Sequence, residues 1–229
     1  MANKHRVSKG GSPKNAEGPN LNELLKKYGH LYSDELGIDI KTEPFKWFLA
    51  SILFGARIST SIAEKTYRAY EQAGLTSPQK LASSDEMTLI KIHGRSGYAR
   101  YDGITADYVI GAAKKLLEDY DGEIQKLNEA SQDPRDLECR LQEFRGVGPV
   151  TAKIFLRELR GIWRNADPEP TAVEVLAAKN LGILKSNGDA LERLREFWND
   201  NEVEGYGFRH FEAALIRLGL ELRRKNRWR

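Results

Sequence analysis

The feature that most constrains the fold of this chain is a two-glycine turn between two amphipathic segments. The stretch FRGVGPVTAKIFLREL, residues 144–159, contains Gly146 and Gly148, and glycine tolerates the positive φ angles and close backbone contacts of a tight turn. Pro149 fits the first position of a helix, where its missing N–H costs no hydrogen bond. Before the turn, large apolar residues repeat at helical spacing at Leu137, Leu141 and Phe144. The pattern predicts a helix–hairpin–helix unit.

The start of the second helix predicts a binding site for an anion. The first backbone N–H groups of a helix have no intrahelical acceptor, and the helix dipole adds partial positive charge at the same end. Phosphate groups bind at such helix N-termini. The residues that we expect to contact such a phosphate are Gly146, Val147, Gly148, Thr151 and Lys153. The alternative interpretation is a plain turn between two core helices.

Composition narrows the class of protein. With 229 residues and 40 % hydrophobic content, the chain can bury a core in one large domain or two small ones. The net charge of +3 is too small to establish nucleic-acid binding by itself. The single cysteine, Cys139, excludes an internal disulfide framework and a multi-cysteine metal site. Because no apolar run has membrane-spanning length, we expect a cytoplasmic protein with no membrane partner.

The rest of the chain favours helices throughout. The apolar run PFKWFLASILFGA, which begins at Pro44, predicts a buried helix that ends near Gly55, and Ser59 or Thr60 fits the cap of the next helix. About ten or more helical segments with short links, and no convincing alternating strand, predict an all-α fold. Residues 1–19 are basic and poor in large apolar groups, so we expect a flexible tail there.

Taken in order, these segments resemble the helix-hairpin-helix DNA glycosylases, the superfamily of endonuclease III, the adenine glycosylase MutY and the mismatch-specific thymine glycosylases. The resemblance covers residues 44–222 and rests on the segments PFKWFLASILFGARIST, GVGPVTA, PTAVEVLAAKNLG and FEAALIRLG. It implies two helical domains with DNA in the cleft between them. A six-helix domain at 44–163 would end in the hairpin, and 20–43 with 164–229 would form the second domain.

The resemblance also implies a role in base-excision repair of double-stranded DNA that contains a lesion or a mismatch. Members flip the target base into the cleft, and a side chain fills the hole that the base leaves. Arg57 matches the position of that filling residue, although an ordinary surface arginine is the alternative. The aromatic residues that we expect to stack on the flipped base are Tyr98, Tyr101, Trp163 and His210. Core packing is the alternative for each of them.

The chain departs from the family pattern at the catalytic positions. Val150 stands where bifunctional members have a lysine that attacks the sugar, so we expect a monofunctional glycosylase without lyase chemistry and a core role for Val150. The resemblance places Glu169 at the family's catalytic aspartate, whose carboxylate stabilises positive charge on the sugar. Asp167 lies two residues earlier, and Glu174 is interpreted as solvated. Three alternatives stay open: Glu169 is the working acid, Asp167 replaces it, or the protein binds DNA without catalysis.

Many members of the family place an iron–sulfur cluster after the last helix. One cysteine cannot supply the four thiolates of such a cluster, so we expect no cluster, no metal and no cofactor. A basic run at Arg223, Arg224, Lys225, Arg227 and Arg229 stands at that place instead. We expect a monomer.

Overall fold

The computed structural model describes residues 20–98, 102–186 and 188–226. Within these ranges the chain forms thirteen α-helices and no β-strand, which confirms the predicted all-α fold. The predicted basic tail at 1–19 and the candidate residue Tyr101 lie outside the described residues. The helices are α1 (Leu21–Tyr28), α2 (Tyr32–Leu36), α3 (Pro44–Gly55), α4 (Thr60–Gln72), α5 (Pro78–Ala82), α6 (Glu86–Arg95), α7 (Asp102–Tyr120), α8 (Gln125–Ala130), α9 (Pro134–Gln142), α10 (Pro149–Leu159), α11 (Ala172–Asn180), α12 (Ala190–Asp200) and α13 (Phe208–Asn226).

Local sequence signals set where several helices begin. At α4 the side chain of Ser59 accepts a hydrogen bond from the backbone N–H of Ile62, at 3.3 Å, so Ser59 is the cap. Proline occupies the first turn of α3, α5, α9 and α10, where it sacrifices no backbone hydrogen bond. These are the starts that the sequence signals predict.

Buried apolar side chains form two cores. The first, which we call the hairpin lobe, contains side chains between Tyr32 and Ala166, with Trp47, Phe48 and Phe155 fully buried. The second, which we call the C-terminal lobe, combines α1 with α11, α12 and α13. Its buried side chains include Leu25, Ala177, Leu194, Trp198, Phe211 and Leu215.

The boundary between the two lobes differs from the predicted domain boundary within residues 20–43. Only α1 packs in the C-terminal lobe, whereas Tyr32, Leu36 and other side chains up to Ile40 pack in the hairpin lobe. The reason is a buried anchor on α10: the Glu158 carboxylate accepts the backbone N–H groups of Tyr32 at 2.9 Å and Ser33 at 3.0 Å. The part of 20–43 that was predicted to join the second domain is therefore split between the two cores.

The position of α10 is fixed by its close contact with α3. A Cβ atom added to Gly55 would lie 2.0 Å from Oγ1 of Thr151, so the two helices approach to a distance that only glycine permits. One end of the same interface is held by the indole N–H of Trp47, which donates to the carbonyl of Phe155 at 3.0 Å. Thr151 is consequently buried.

The C-terminal end of α10 connects the two lobes. The Arg160 guanidinium donates to both carboxylate oxygens of Glu212 on α13, at 3.0 and 2.9 Å. Arg209, also on α13, donates to the carbonyl of Glu158 at 2.7 Å. A single helix therefore begins at the hairpin and ends at the C-terminal lobe.

We predict that Gly55→Ala destabilises the protein by about 1–3 kcal/mol, because the new methyl group overpacks the contact with Thr151. The matched control is Gly111→Ala within α7, where an added Cβ meets nothing within 4 Å. That change should be neutral or stabilise by up to about 1 kcal/mol through the higher helix propensity of alanine. Urea unfolding of both variants measures the difference, and equal stabilities would contradict the close contact.

Candidate functional site

The hairpin turn has a geometry that its glycines make possible. Gly146 has a φ of +86°, and a Cβ atom on it would lie 2.3 Å from the Tyr108 ring. The turn is closed by the N–H of Val147, which donates to the carbonyl of Phe144 at 2.9 Å. The side chain of Val147 is buried in the hairpin lobe. The N–H of Val147 is thus used within the turn and its side chain is buried, which does not fit the predicted contact of Val147 with a phosphate.

The N-terminus of α10 is open to solvent. Gly148, Pro149 and Val150 are exposed, and within the described residues no side chain caps this helix. Its first N–H groups are therefore available to an anion. Of the other residues expected to contact DNA, Thr151 is buried against α3 and Lys153 is half-buried on the flank of α10. A side-chain contact from Thr151 to DNA does not fit this burial.

Arg57 lies in the loop between α3 and α4, with its side chain exposed. It shares one open depression with Gly146 and with the exposed Ile104 on α7. The loop that carries Arg57 and the hairpin turn are therefore neighbours on one surface, although they are far apart in the sequence.

A cavity of about 300 Å³ lies between the two lobes, and we call it the interlobe cavity. Helices α3, α4 and α10 of the hairpin lobe line one side, and α11 and α13 line the other. Its apolar walls include Tyr32, Phe54, Val150, Ile154, Ile216 and Leu220. Its polar lining consists of Thr60, Arg157, Thr171 and Arg223.

The predicted core role of Val150 is wrong. Its side chain is 59 % exposed and faces the interlobe cavity together with Ile154, one helical turn further along α10. The first turn of α10 thus brings an apolar side chain, Val150, to the cavity at the position where the resemblance places a lysine in bifunctional glycosylases.

The aromatic residues predicted to form a base pocket lie elsewhere. Trp163 is buried in the hairpin lobe, where its ring packs edge-on against Phe155. Tyr98 is 2 % exposed, its hydroxyl bonds to that of Thr105 at 2.6 Å, and it lines the depression that Arg57 shares with Gly146. His210 accepts the backbone N–H of Gly207 through Nδ1, at 2.9 Å, and lines a different surface cavity. None of these three aromatic residues lines the interlobe cavity, because their rings satisfy local packing and hydrogen bonds instead.

The aromatic side chains that do line the cavity are Tyr32 and Phe54, whose ring centroids are 5.3 Å apart in an edge-to-face arrangement. Sequence reasoning missed both. Phe54 is hidden in the uniformly apolar run of α3, and Tyr32 belongs to a short segment that has no clear periodicity. Neither position carries a local signal that separates a cavity wall from a core residue.

Asp167 is part of an ion-pair network. It pairs with Arg160 and with Arg195 of α12, and Arg160 also donates to the carbonyl of Pro168 at 2.7 Å. Burial raises the pKa of Glu212, the other partner of Arg160, while the charge of Arg160 acts in the opposite direction. Asp167 therefore holds the loop before α11 in place, which conflicts with its predicted role as a free catalytic acid.

Glu169 is exposed on the same loop. Burial raises the pKa of Glu138 on α9, Lys153 opposes that rise, and the negative charge of Glu169 adds to it. Glu169 therefore acts electrostatically on Glu138, and it does not belong to the lining of the interlobe cavity.

The carboxylate of Glu174 is linked to the cavity lining through hydrogen bonds. It is 2 % exposed and accepts both the hydroxyl of Thr171, at 2.7 Å, and the backbone N–H of Thr171, at 2.6 Å. This pair is a capping box at the start of α11. Because Thr171 lines the cavity, Glu174 is separated from it by one hydroxyl group, and its interpretation as a solvated residue is wrong.

The described part of the chain also bears on metal binding and on membrane crossing. No three His, Cys, Asp or Glu side chains within it are grouped so that they could share a metal ion. None of its helices combines the length and the hydropathy that crossing a membrane requires.

We predict that Arg160→Gln destabilises the protein by about 3–5 kcal/mol, because it leaves the buried Glu212 carboxylate without its charged partner. The control is Arg145→Gln, which removes an exposed ion pair with Asp107 and should leave stability nearly unchanged. Thermal unfolding monitored by circular dichroism compares the two variants. A stable Arg160→Gln variant would show that the network does not hold the lobes together.

Comparison with solved structures identifies the fold. No protein-family model and no curated protein matches the chain. It is similar to Helicobacter pylori 3-methyladenine DNA glycosylase (MagIII) bound to 1,N6-ethenoadenine, with a TM-score of 0.55 and 16 % identity, over 89 % of this chain and 97 % of that one. A second similar structure is Clostridium acetobutylicum 8-oxoguanine glycosylase/lyase in complex with double-stranded DNA containing cytosine opposite 8-oxoguanine, with a TM-score of 0.48 and 16 % identity, over 90 % of this chain and 71 % of that one. The likeness to MagIII confirms the predicted all-α fold, which the two chains share.

Proposed function

We propose that this protein binds double-stranded DNA that contains a lesion or a mismatch, and hydrolyses the N-glycosidic bond of a base flipped into the interlobe cavity. The observation that carries this proposal is the course of α10. The helix starts at the open hairpin, where phosphate would bind, and then lines the cavity with Val150 and Ile154. A single helix therefore fixes the position of the proposed phosphate site relative to a cavity that is large enough for a base.

The cavity suits a nucleobase in size and in chemistry. Its volume of about 300 Å³ is at the lower end of the range of small-ligand pockets. The rings of Tyr32 and Phe54 provide apolar faces, and stacking of a base on an aromatic ring contributes about 1–3 kcal/mol. That contribution offsets part of the few kcal/mol that base flipping costs. The fold shared with MagIII, whose structure contains a modified base, supports the same interpretation.

Arg57 is the proposed residue that fills the hole in the duplex. It is exposed and lies beside the hairpin turn, so a duplex held by its phosphates at Gly146 and Gly148 would place base pairs near the guanidinium. The flat guanidinium head can stack on a base or donate hydrogen bonds to the orphaned partner base. This arrangement agrees with the role that the sequence resemblance implies.

Val150 supports a monofunctional mechanism. The side chain faces the cavity but has no amine, so it cannot form a Schiff base with the sugar. Lys153 is half-buried on α10, where its charge lowers the pKa of Glu138 against the effect of burial, and it is not part of the cavity lining. We therefore propose base release by water, without cleavage of the DNA strand.

The negative charge that stabilises the sugar has two candidate sources. The first is Glu174, which accepts the proton of the Thr171 hydroxyl. The hydroxyl oxygen then presents its remaining lone pair to the cavity. Glu169, on the exposed loop before α11, is the source that the family resemblance favours. Among the described cavity-lining residues there is no carboxylate, and this observation favours a second candidate function, a glycosylase-like protein that binds DNA without catalysis.

We predict that the protein forms abasic sites in at least one duplex from a panel with uracil, mismatched thymine, 8-oxoguanine, hypoxanthine or alkylated purines. Glu174→Gln should reduce the single-turnover rate by about 100- to 1000-fold, as expected for loss of an electrostatic stabiliser of the transition state. Asp167→Asn should lower stability more than the rate, because Asp167 is engaged in ion pairs.

The other outcomes of this experiment are equally informative. Loss of activity in Glu169→Gln alone would make Glu169 the catalytic acid. Trapping of a covalent DNA adduct by borohydride would contradict the monofunctional mechanism. Salt-sensitive binding without release of any base would support the non-catalytic function.

We predict that Gly146→Ala weakens DNA binding by about 10- to 100-fold, because the methyl group strikes Tyr108 and displaces N–H groups that bond a charged phosphate. The control is Gly182→Ala, which has a comparable positive φ of +75° but open space around its Cβ, in the C-terminal lobe. Both changes should cost stability through backbone strain. Fluorescence anisotropy at several salt concentrations should show reduced affinity for Gly146→Ala alone, and an equal loss in both variants would refute the phosphate site.

A further inference from the structure

The interlobe cavity contains a buried arginine whose donors are not used. Arg157 is 3 % exposed and lines the cavity. Its Nε and Nη1 atoms are fully buried, and among the described residues neither has a hydrogen-bond partner. Burying a cation without hydrogen-bond partners costs free energy. An arginine of this kind in a cavity therefore points to a ligand that supplies the missing hydrogen-bond acceptors.

The acidic neighbours of Arg157 do not take up these donors. The adjacent Glu158 uses its carboxylate oxygens to accept the backbone N–H groups of Tyr32 and Ser33. Glu212 is bonded at both oxygens by Arg160. The charge of Arg157 is still felt by Glu158, since burial raises the pKa of that carboxyl and Arg157 opposes the rise. Arg157 thus acts as a distant counter-charge, while its N–H groups stay free.

The rest of the cavity offers little else for polar recognition. Its walls are mainly apolar, and apart from Arg157 the polar groups are two threonine hydroxyls and Arg223. The hydroxyl of Thr171 already donates its proton to Glu174, and Arg223 is exposed. Arg157 is therefore the one buried charged group in the described lining, and it can decide which base is accepted.

We infer that Arg157 reads hydrogen-bond acceptors on the flipped base, so that the substrates are uncharged bases with a carbonyl group, such as uracil, thymine, hypoxanthine or 8-oxoguanine. This inference rests on the proposed function. The N–H groups of an arginine can donate to the two lone pairs of one carbonyl oxygen, or in parallel to neighbouring acceptors such as O6 and N7 of hypoxanthine. Cationic alkylpurines, such as 3-methyladenine, bring a like charge next to a buried guanidinium and are excluded.

The size of this discrimination follows from the buried donors. A base that lacks the carbonyl leaves the buried guanidinium unpaired, and sites built for such a hydrogen bond reject analogues that lack it. A bidentate arginine contact discriminates against the wrong base by about 10- to 100-fold.

The test compares single-turnover excision by the full chain on duplexes with a carbonyl-bearing lesion and on duplexes with 3-methyladenine or 1,N6-ethenoadenine. Arg157→Met keeps an apolar side chain of similar length but removes the donors. Arg157→Lys keeps the charge but loses the planar pair of donors. Arg223→Met is the matched control, since it removes an exposed arginine from the rim of the same cavity.

We expect the unmodified protein to prefer the carbonyl-bearing lesions. Arg157→Met should lose about 10- to 100-fold in rate on these lesions, with a smaller change on the others, so that the preference disappears. Arg157→Lys should fall between the two, and Arg223→Met should keep the preference. Thermal unfolding and affinity for a duplex with an abasic-site analogue check that the variants remain folded and bind DNA through the hairpin.

Several results would overturn the inference while leaving the proposed function intact. They are an equal loss on all lesions, an unchanged rate in Arg157→Met, or complete restoration by lysine, which would make Arg157 a counter-charge only. Inhibition by inorganic phosphate that Arg157→Met abolishes would assign the site to a free anion. If no base is released from any duplex, the proposed function fails. The affinities of the same duplexes then decide: a carbonyl preference that Arg157→Met removes supports base reading, and equal affinities refute it.

Discussion

The close contact between Gly55 and Thr151 is the constraint on which the rest of the structure depends. It holds α10 against α3 at a distance that any side chain at Gly55 would prevent. Because α10 begins at the hairpin, lines the interlobe cavity and ends at the C-terminal lobe, its position sets all three regions at once. A displacement of this helix would move the phosphate site and the cavity together, which couples DNA binding to the geometry around a flipped base.

Charged groups buried near the end of α10 have separate tasks. Glu158 holds the backbone of the linking segment, and Arg160 joins Glu212, Asp167 and the loop before α11. These groups satisfy each other, so they stabilise the relative position of the lobes. Arg157 lies among them and lines the cavity, and within the part of the chain that the structure describes its Nε and Nη1 atoms have no hydrogen-bond partner. Within four residues at the end of α10, the groups with partners therefore stabilise the structure, whereas Arg157 is the group proposed to recognise the base.

The hairpin and the all-α architecture could be predicted because they depend on local patterns. Each of these patterns, namely helical periodicity, prolines at helix starts and the glycines of the turn, affects only residues that are close in the sequence. The likeness to MagIII confirms the resulting fold. The site was predicted less well. Trp163 is a core residue and Tyr98 lines the depression beside Arg57, whereas Tyr32 and Phe54 form the wall of the interlobe cavity. Local sequence does not distinguish an aromatic ring in a core from one in a cavity wall.

The sequence by itself determined the helices, the positive-φ turn at Gly146, and the apolar residue in place of a nucleophilic lysine at Val150, since each is a property of one residue or one short segment. Only the tertiary structure decided that Val150 faces a cavity, that Asp167 is bound by two arginines, and that Arg157 is buried without a partner. These outcomes depend on which helices meet across the lobes. Burial and pairing are relations between distant residues, and they exist only once the chain has packed.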